Sequence, residues 1–141
     1  MNEEYEIVRV ENPEQSAWGI IGRNLDEFNR QQAGDYNSQR IGFVVQTPDQ
    51  AIVGGIIAVT YWDWLAIDLM WLRENIRGRG YGHRLLTLAE DEGRRLGARH
   101  AFLDTFSFQA PDFYRKHGYQ VLGVLQDFPA GHQRYYMTKQ L

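Results

Sequence analysis

The stretch from Leu72 to His83 constrains this chain most, because Gly78, Gly80 and Gly82 stand at alternate positions within it. An apolar run that reads as a strand, Leu65 to Leu72, precedes it, and a run with helical spacing, Arg84 to Leu96, follows it. Glycines packed this closely cost chain entropy unless the backbone takes positive φ or passes close to something. At a helix start such a loop presents unpaired N–H groups and the positive end of the helix dipole. That is an anion site, most often for phosphate, and Arg77 and Arg79 add charge at its rim. A plain glycine-rich turn is the other reading of the same residues. A P-loop would close on Gly-Lys-Ser/Thr, whereas Gly82 is followed by His83-Arg84. A dinucleotide fingerprint would place a glycine three residues after Gly80, where His83 stands.

The bulk numbers exclude several classes. At 141 residues the chain has the length of one domain, read as 1–141, and enough material for a core. A net charge of -3 gives no reason to expect nucleic acid as a partner. No cysteine is present, which removes disulfides, thiolate metal sites and a cysteine nucleophile, and suits a reducing cytoplasm. No apolar run approaches the roughly 18 residues of a membrane span. The acidic start Met1-Asn-Glu-Glu lacks the pattern of a signal peptide, so a cytoplasmic protein is expected. His83, His100, His117 and His132 show no metal-ligand spacing, so no metal is expected.

Taken in order, Tyr5 to Val10 reads as a first strand. Asn12-Pro13-Glu14-Gln15 signals a helix start, and Trp18, Ile21, Leu25 and Phe28 form one apolar stripe that fades near Ala33-Gly34. Ile41 to Gln46, Ile52 to Thr60 and Leu65 to Arg73 read as three antiparallel strands, with Gly54-Gly55 hinting at a bulge or a close neighbour. After the loop, Leu85, Leu88, Ala89 and Leu96 mark a helix stopped by Gly97. His100 to Phe106 is then a strand reached by a parallel crossover. A short helix, Gln109 to His117, and the strands Tyr119 to Leu125 and Arg134 to Lys139 complete the chain.

Arg77-x-x-Gly80-x-Gly82, set between strand and helix, resembles the acyl-CoA pyrophosphate loop of the GCN5-related N-acetyltransferases, the GNAT family. Further on, Gln109-Ala110-Pro-Asp-Phe113-Tyr114, with Gly118-Tyr119, is similar to that family's Asn-x-x-Ala-x-x-Phe/Tyr-Tyr-x-x-x-Gly-Phe pattern, with Gln109 in place of the usual Asn. The resemblance implies an α/β (α+β) fold. Its single mixed, mostly antiparallel sheet would have about seven strands flanked by helices, and its central parallel strands would splay apart. It implies an acetyl-CoA-dependent N-acetyltransferase that moves an acetyl group to a primary amine of a small molecule or peptide by direct attack. A non-catalytic acyl-CoA-binding sensor on the same fold is the alternative.

The family carry-over implies specific roles. Met70, Trp71 and Leu72 would bond the pantetheine arm through their backbone, with side chains in the core. Arg77, Gly78, Arg79, Gly80, Tyr81, Gly82 and His83 would hold the pyrophosphate. Gln109 and Phe113 would contact the cofactor, and Tyr114 would both touch it and protonate the departing thiolate. An alkylammonium titrates near 10, so attack by a neutral amine needs a base. Asp68, a carboxylate in mid-strand among apolar residues, is the first candidate and Asp104 the second; each can instead be a structural hydrogen-bonding group. Tyr61, Trp62, Asp63 and Trp64, with Asp127, Phe128 and His132, are candidates to frame the amine by cation–π and charge attraction. A homodimer through Val121 to Leu125 and Tyr135-Tyr136 is a further possibility of the family.

Overall fold

A computed structural model describes residues 4–141. They fall into two compact units, one ending at Tyr36 and the other running Asn37–Leu141.

In the first unit the expected strand at Tyr5 to Val10 is absent, and residues 4–10 carry no regular structure. The sequence shows why: Ile7 and Val8 are adjacent, so the alternation changes parity midway and no single face is apolar. Among the described residues the sheet therefore has six strands rather than seven. The expected single helix is divided into α1, Pro13–Ser16, and α2, Trp18–Ala33, with Ala17 between them at φ -105°. Backbone bonds still cross the junction, from Ala17 N to Pro13 O and from Ile21 N to Ala17 O. Asn12 closes the start with its carbonyl, which accepts from Gln15 N and Ser16 Oγ, rather than with its side chain. Gly34, at φ 85°, ends α2.

In the second unit the strands are β1 Gln39–Gln46, β2 Ile52–Tyr61, β3 Trp64–Leu72, β4 His100–Phe106, β5 Gln120–Gln126 and β6 Gln133–Gln140. They form one mixed sheet in the order β1-β2-β3-β4-β6-β5, antiparallel except for β3 beside β4. Helix α3, Tyr81–Arg95, is the crossover between that parallel pair, and α4, Pro111–Lys116, follows β4. Of the late strands only β5 keeps a free edge, since β6 is paired on both sides.

Gly54 and Gly55 are explained by close neighbours. A Cβ on Gly54 would stand 3.1 Å from Trp71 O, and one on Gly55 would stand 2.8 Å from Phe43 O. The ladder also slips beside them, between Val45 and Gln46. On one face of the sheet, Ile56, Ala58, Leu65, Leu103 and Met137 pack under Leu85, Leu86 and Ala89 of α3. Gly93 lets α3 approach, because a Cβ there would lie 3.1 Å from Leu65 Cδ2.

One buried charge ties that layer together. Glu90, only 5% exposed, accepts from Lys139 Nζ at 3.0 Å on both oxygens and from Tyr119 Oη at 2.7 Å. Removing the carboxylate leaves the buried Tyr119 phenol and the half-buried Lys139 ammonium without their acceptor. Glu90→Ala is therefore expected to cost about 3–5 kcal/mol in urea denaturation. A loss below about 1 kcal/mol, the range of exposed pairs, would show that the triad adds nothing to the fold.

Candidate active site

The sheet opens beside its parallel pair. β3 and β4 are in register only at Trp64↔His100, Leu65↔Ala101 and Ala66↔Phe102. From Ile67 onward β3 has no strand on that side, so its second edge of N–H and C=O groups faces a gap. The β2–β3 ladder slips at the same place: Ile57 pairs with Leu69 and Ala58 with Ile67, which makes Asp68 the extra residue of a bulge. A cleft of about 750 Å³ fills the opening. Met70, Trp71 and Leu72 line one wall, and Leu103, Asp104 and Thr105 line the other. Met70 and Leu72 pack partly against the core, as expected, but Trp71 is exposed rather than buried. It lies on the face opposite Met70, whose register partner Ile56 is fully buried.

At one end the cleft reaches Arg77 and Gly82. Helix α3 begins three residues earlier than its apolar spacing suggests, so Tyr81, Gly82 and His83 form its first turn. Gly80 is its N-cap in the left-handed region, φ 87°, and Gly78 is at φ 76°. Both conformations favour glycine. Gly82 serves another need, since a Cβ there would stand 3.3 Å from both Met70 Cε and Phe113 Cε2. The backbone N–H groups of Gly78 to His83 donate to no acceptor among the described residues. A row of open amides thus meets the positive end of a 15-residue helix at the edge of the cleft. These features fit a pyrophosphate at the loop and an extended amide-bearing arm along β3.

The two arginines differ. Arg77 donates through Nε to Leu72 O at 2.9 Å, which braces the loop against the strand end, while Arg79 is exposed. His83 pairs with His117, Nδ1 to Nε2 at 2.8 Å, and His117 Nδ1 meets Phe113 O at 2.8 Å.

α4 supplies the floor. Phe113 lies against Gly82 and edge-on to Tyr114, with centroids 5.2 Å apart. Tyr114 is buried, and its hydroxyl points at Met70 Sδ, 3.6 Å away. Burial, and secondly the charge of Asp104, push this phenol up to about 12. Gln109 accepts the Phe106 N–H at 2.8 Å through Oε1, so its amide caps the turn after β4 while Nε2 remains available at the cleft.

The two carboxylates read as possible bases stand in different settings. Asp68 lines the cleft, exposed and with no partner for its carboxylate among the described residues. Asp104 is held by Arg134, whose Nε and Nη2 lie 2.8 and 2.7 Å from Oδ1. Sequence reasoning missed Arg134, because its partner is thirty residues away and no local pattern marks the pair. Phe106 was likewise missed; it stacks on Phe108 with centroids 5.3 Å apart. Of the expected acceptor-side residues, Phe128 and His132 join this cluster, packing on Phe106 and Phe108 respectively. Tyr61 to Trp64 stand at the other end of β3, where Trp62 and Asp63 make the β2–β3 turn and Trp64 stacks on His100. They do not line the cleft, nor does Asp127. Among the described residues, no group of three or more His, Cys, Asp or Glu is placed to hold a metal ion, and no helix is long and apolar enough to cross a membrane.

By class the chain is an acetyltransferase. It belongs to the acetyltransferase (GNAT) family, which matches residues 5–119. It is 35% identical to a blasticidin-S acetyltransferase of Streptomyces morookaense over 64% of this chain and 67% of the relative. A crystal structure of an acetyltransferase from Bacillus cereus superposes with a TM-score of 0.86 at 34% identity, covering 95% of this chain and 98% of that one. An aminoglycoside 6'-N-acetyltransferase complexed with coenzyme A shares the fold, with a TM-score of 0.61 at 21% identity over 72% of each chain.

Proposed function

We propose that this protein transfers the acetyl group of acetyl-CoA to a primary amine of a small molecule. The observation that carries the reading is the row of unpaired amides from Gly78 to His83 at the end of the cleft. The relation to a blasticidin-S acetyltransferase and the coenzyme A bound by a fold relative support it. Gly78 to His83 take the pyrophosphate, with Arg77 and Arg79 adding charge at the rim. The open edge of Met70, Trp71 and Leu72 bonds the arm, Phe113 walls it, and Gln109 offers an N–H.

Acetyl-CoA supplies an activated acyl carbon. The amine forms the new C–N bond as the C–S bond breaks. Asp68 holds the incoming ammonium and relays its proton to water. Tyr114 gives its phenolic proton to the leaving sulfur, as its hydroxyl already points at a sulfur across the cleft. A phenol held neutral by burial is suited to donate rather than accept. Release of free CoA thiol, followed with an amine panel, tests the proposal. Thiol release that depends on amine is the expected result; acetyl-CoA binding with no amine-dependent release would instead mark a sensor.

A further inference from the structure

The cleft has a side that the proposed cofactor contacts leave open. α3, α4 and Tyr114 lie on the face of the sheet that carries the core. The opposite face bears Leu69 and Trp71 of β3, which alternate with the core-facing Met70. It also bears Asp104 and Phe106, whose register partners are Tyr136 and Arg134. Two properties of this side limit what can bind there.

The first is charge. Arg134 is already engaged with Asp104 and lies over the rings of Phe106, Phe128 and Tyr136, 5.1 to 5.4 Å from their centroids. Asp68 is left as the one carboxylate without a cation among the described residues lining the cleft. A single ammonium is matched by this arrangement. Further ammonium groups would meet the Arg134 guanidinium with no carboxylate to balance them.

The second is shape. Leu69, Trp71 and Phe108 are 67%, 54% and 58% exposed although all three line the same cleft. Large apolar side chains gathered at a cleft mouth mark a surface that a ligand covers. Phe106 and Phe108 are parallel within 5°, so a flat ring can extend their stack.

We infer that the acceptor is a singly charged primary amine carried on a flat, conjugated body, an aryl or heteroaryl alkylamine. Asp68 holds its ammonium, and Trp71 and Phe108 hold its ring. The inference rests on the acetyl-transfer reading and narrows it.

The test compares kcat/KM, read by thiol release, for tryptamine, butylamine, spermidine and kanamycin. Tryptamine is expected to exceed each of the others by about tenfold, the scale of two aromatic contacts of roughly 0.5–1.5 kcal/mol each. Trp71→Ala and Phe108→Ala should each raise KM about 2–10-fold for tryptamine and less for butylamine. Asp68→Asn should lower kcat/KM for both amines. Equal or better use of spermidine or kanamycin, or equal effects of the ring variants on tryptamine and butylamine, overturns the inference and leaves acetyl transfer standing. Binding of acetyl-CoA with no thiol release from tryptamine also overturns it. No thermal shift with acetyl-CoA and no release from any amine would fail the transfer reading itself.

Discussion

Acetyl-CoA at about 100 times its Kd is expected to raise the melting temperature by roughly 5–10 °C, and Gly80→Asp to abolish that rise. Ligand at this excess stabilises the folded state by about 2.7 kcal/mol, and a domain of this size gains roughly 3 °C per kcal/mol. Gly80 is the N-cap of α3, so an aspartate there places a carboxylate among the open amides of Gly82 and His83. It would cap the helix as aspartates do and occupy the anion site with the protein's own charge. The unliganded variant pays the left-handed strain of this position, offset in part by the cap, so it should melt a few degrees below the parent and no longer respond to ligand. Gly80→Ala separates charge from backbone strain. A Cβ there meets nothing within 4 Å, so the only cost is the left-handed φ of 87°, about 1–2 kcal/mol. Because that strain is present with and without ligand, alanine should lower the melting temperature of the free protein yet keep most of the rise with acetyl-CoA. A full thermal shift in Gly80→Asp would mean that the pyrophosphate sits elsewhere.

Tyr114→Phe is expected to lower kcat by about 10–100-fold with little change in acetyl-CoA affinity. General acids contribute roughly 10²–10⁴-fold, and a thiolate is a good enough leaving group to place this one at the low end. The pH profile adds a second signature. An ordinary phenol, at 10.0, would be half ionised at that pH, but Tyr114 is pushed up to about 12 by burial and by the nearby charge of Asp104. The acid form persists, so kcat should stay level through pH 10 and fall only toward 12. The sign for stability agrees. The folded value exceeds the unfolded one, so the stabilisation is complete below pH 10 and is lost as pH rises toward 12. An alkaline limb near 10, or an unchanged kcat in Tyr114→Phe, would remove the acid role.

The loop and helix start proposed to take the cofactor were legible in sequence because their signals are local. Gly78 and Gly80 announce backbone conformations that other residues resist, Gly82 a close approach to Met70 and Phe113, and the Gln109–Tyr114 pattern places α4 a fixed distance after β4. Asp68 was legible as a charge interrupting an apolar run, and the structure gives the reason in the bulge. The side of the cleft proposed for the acceptor was less legible because it depends on pairing across the sheet. Arg134 meets Asp104 only because β6 inserts between β4 and β5, an order the sequence does not state. The aromatic run Tyr61 to Trp64 drew attention by composition, yet it forms a turn at the wrong end of β3. The expected strand at Tyr5 to Val10 failed for a related reason. Apolar content alone does not make a face, and Ile7-Val8 breaks the alternation a strand needs.

The central claim is that unpaired main-chain amides hold the diphosphate of coenzyme A. Backbone ¹H–¹⁵N spectra recorded while coenzyme A is added test it most directly. The amides of Gly78, Gly80 and Gly82 should show the largest downfield proton shifts, and pantetheine, which lacks the diphosphate, should leave them in place. Shifts of equal size with pantetheine, or coenzyme A binding that leaves these three amides unmoved, would contradict the account.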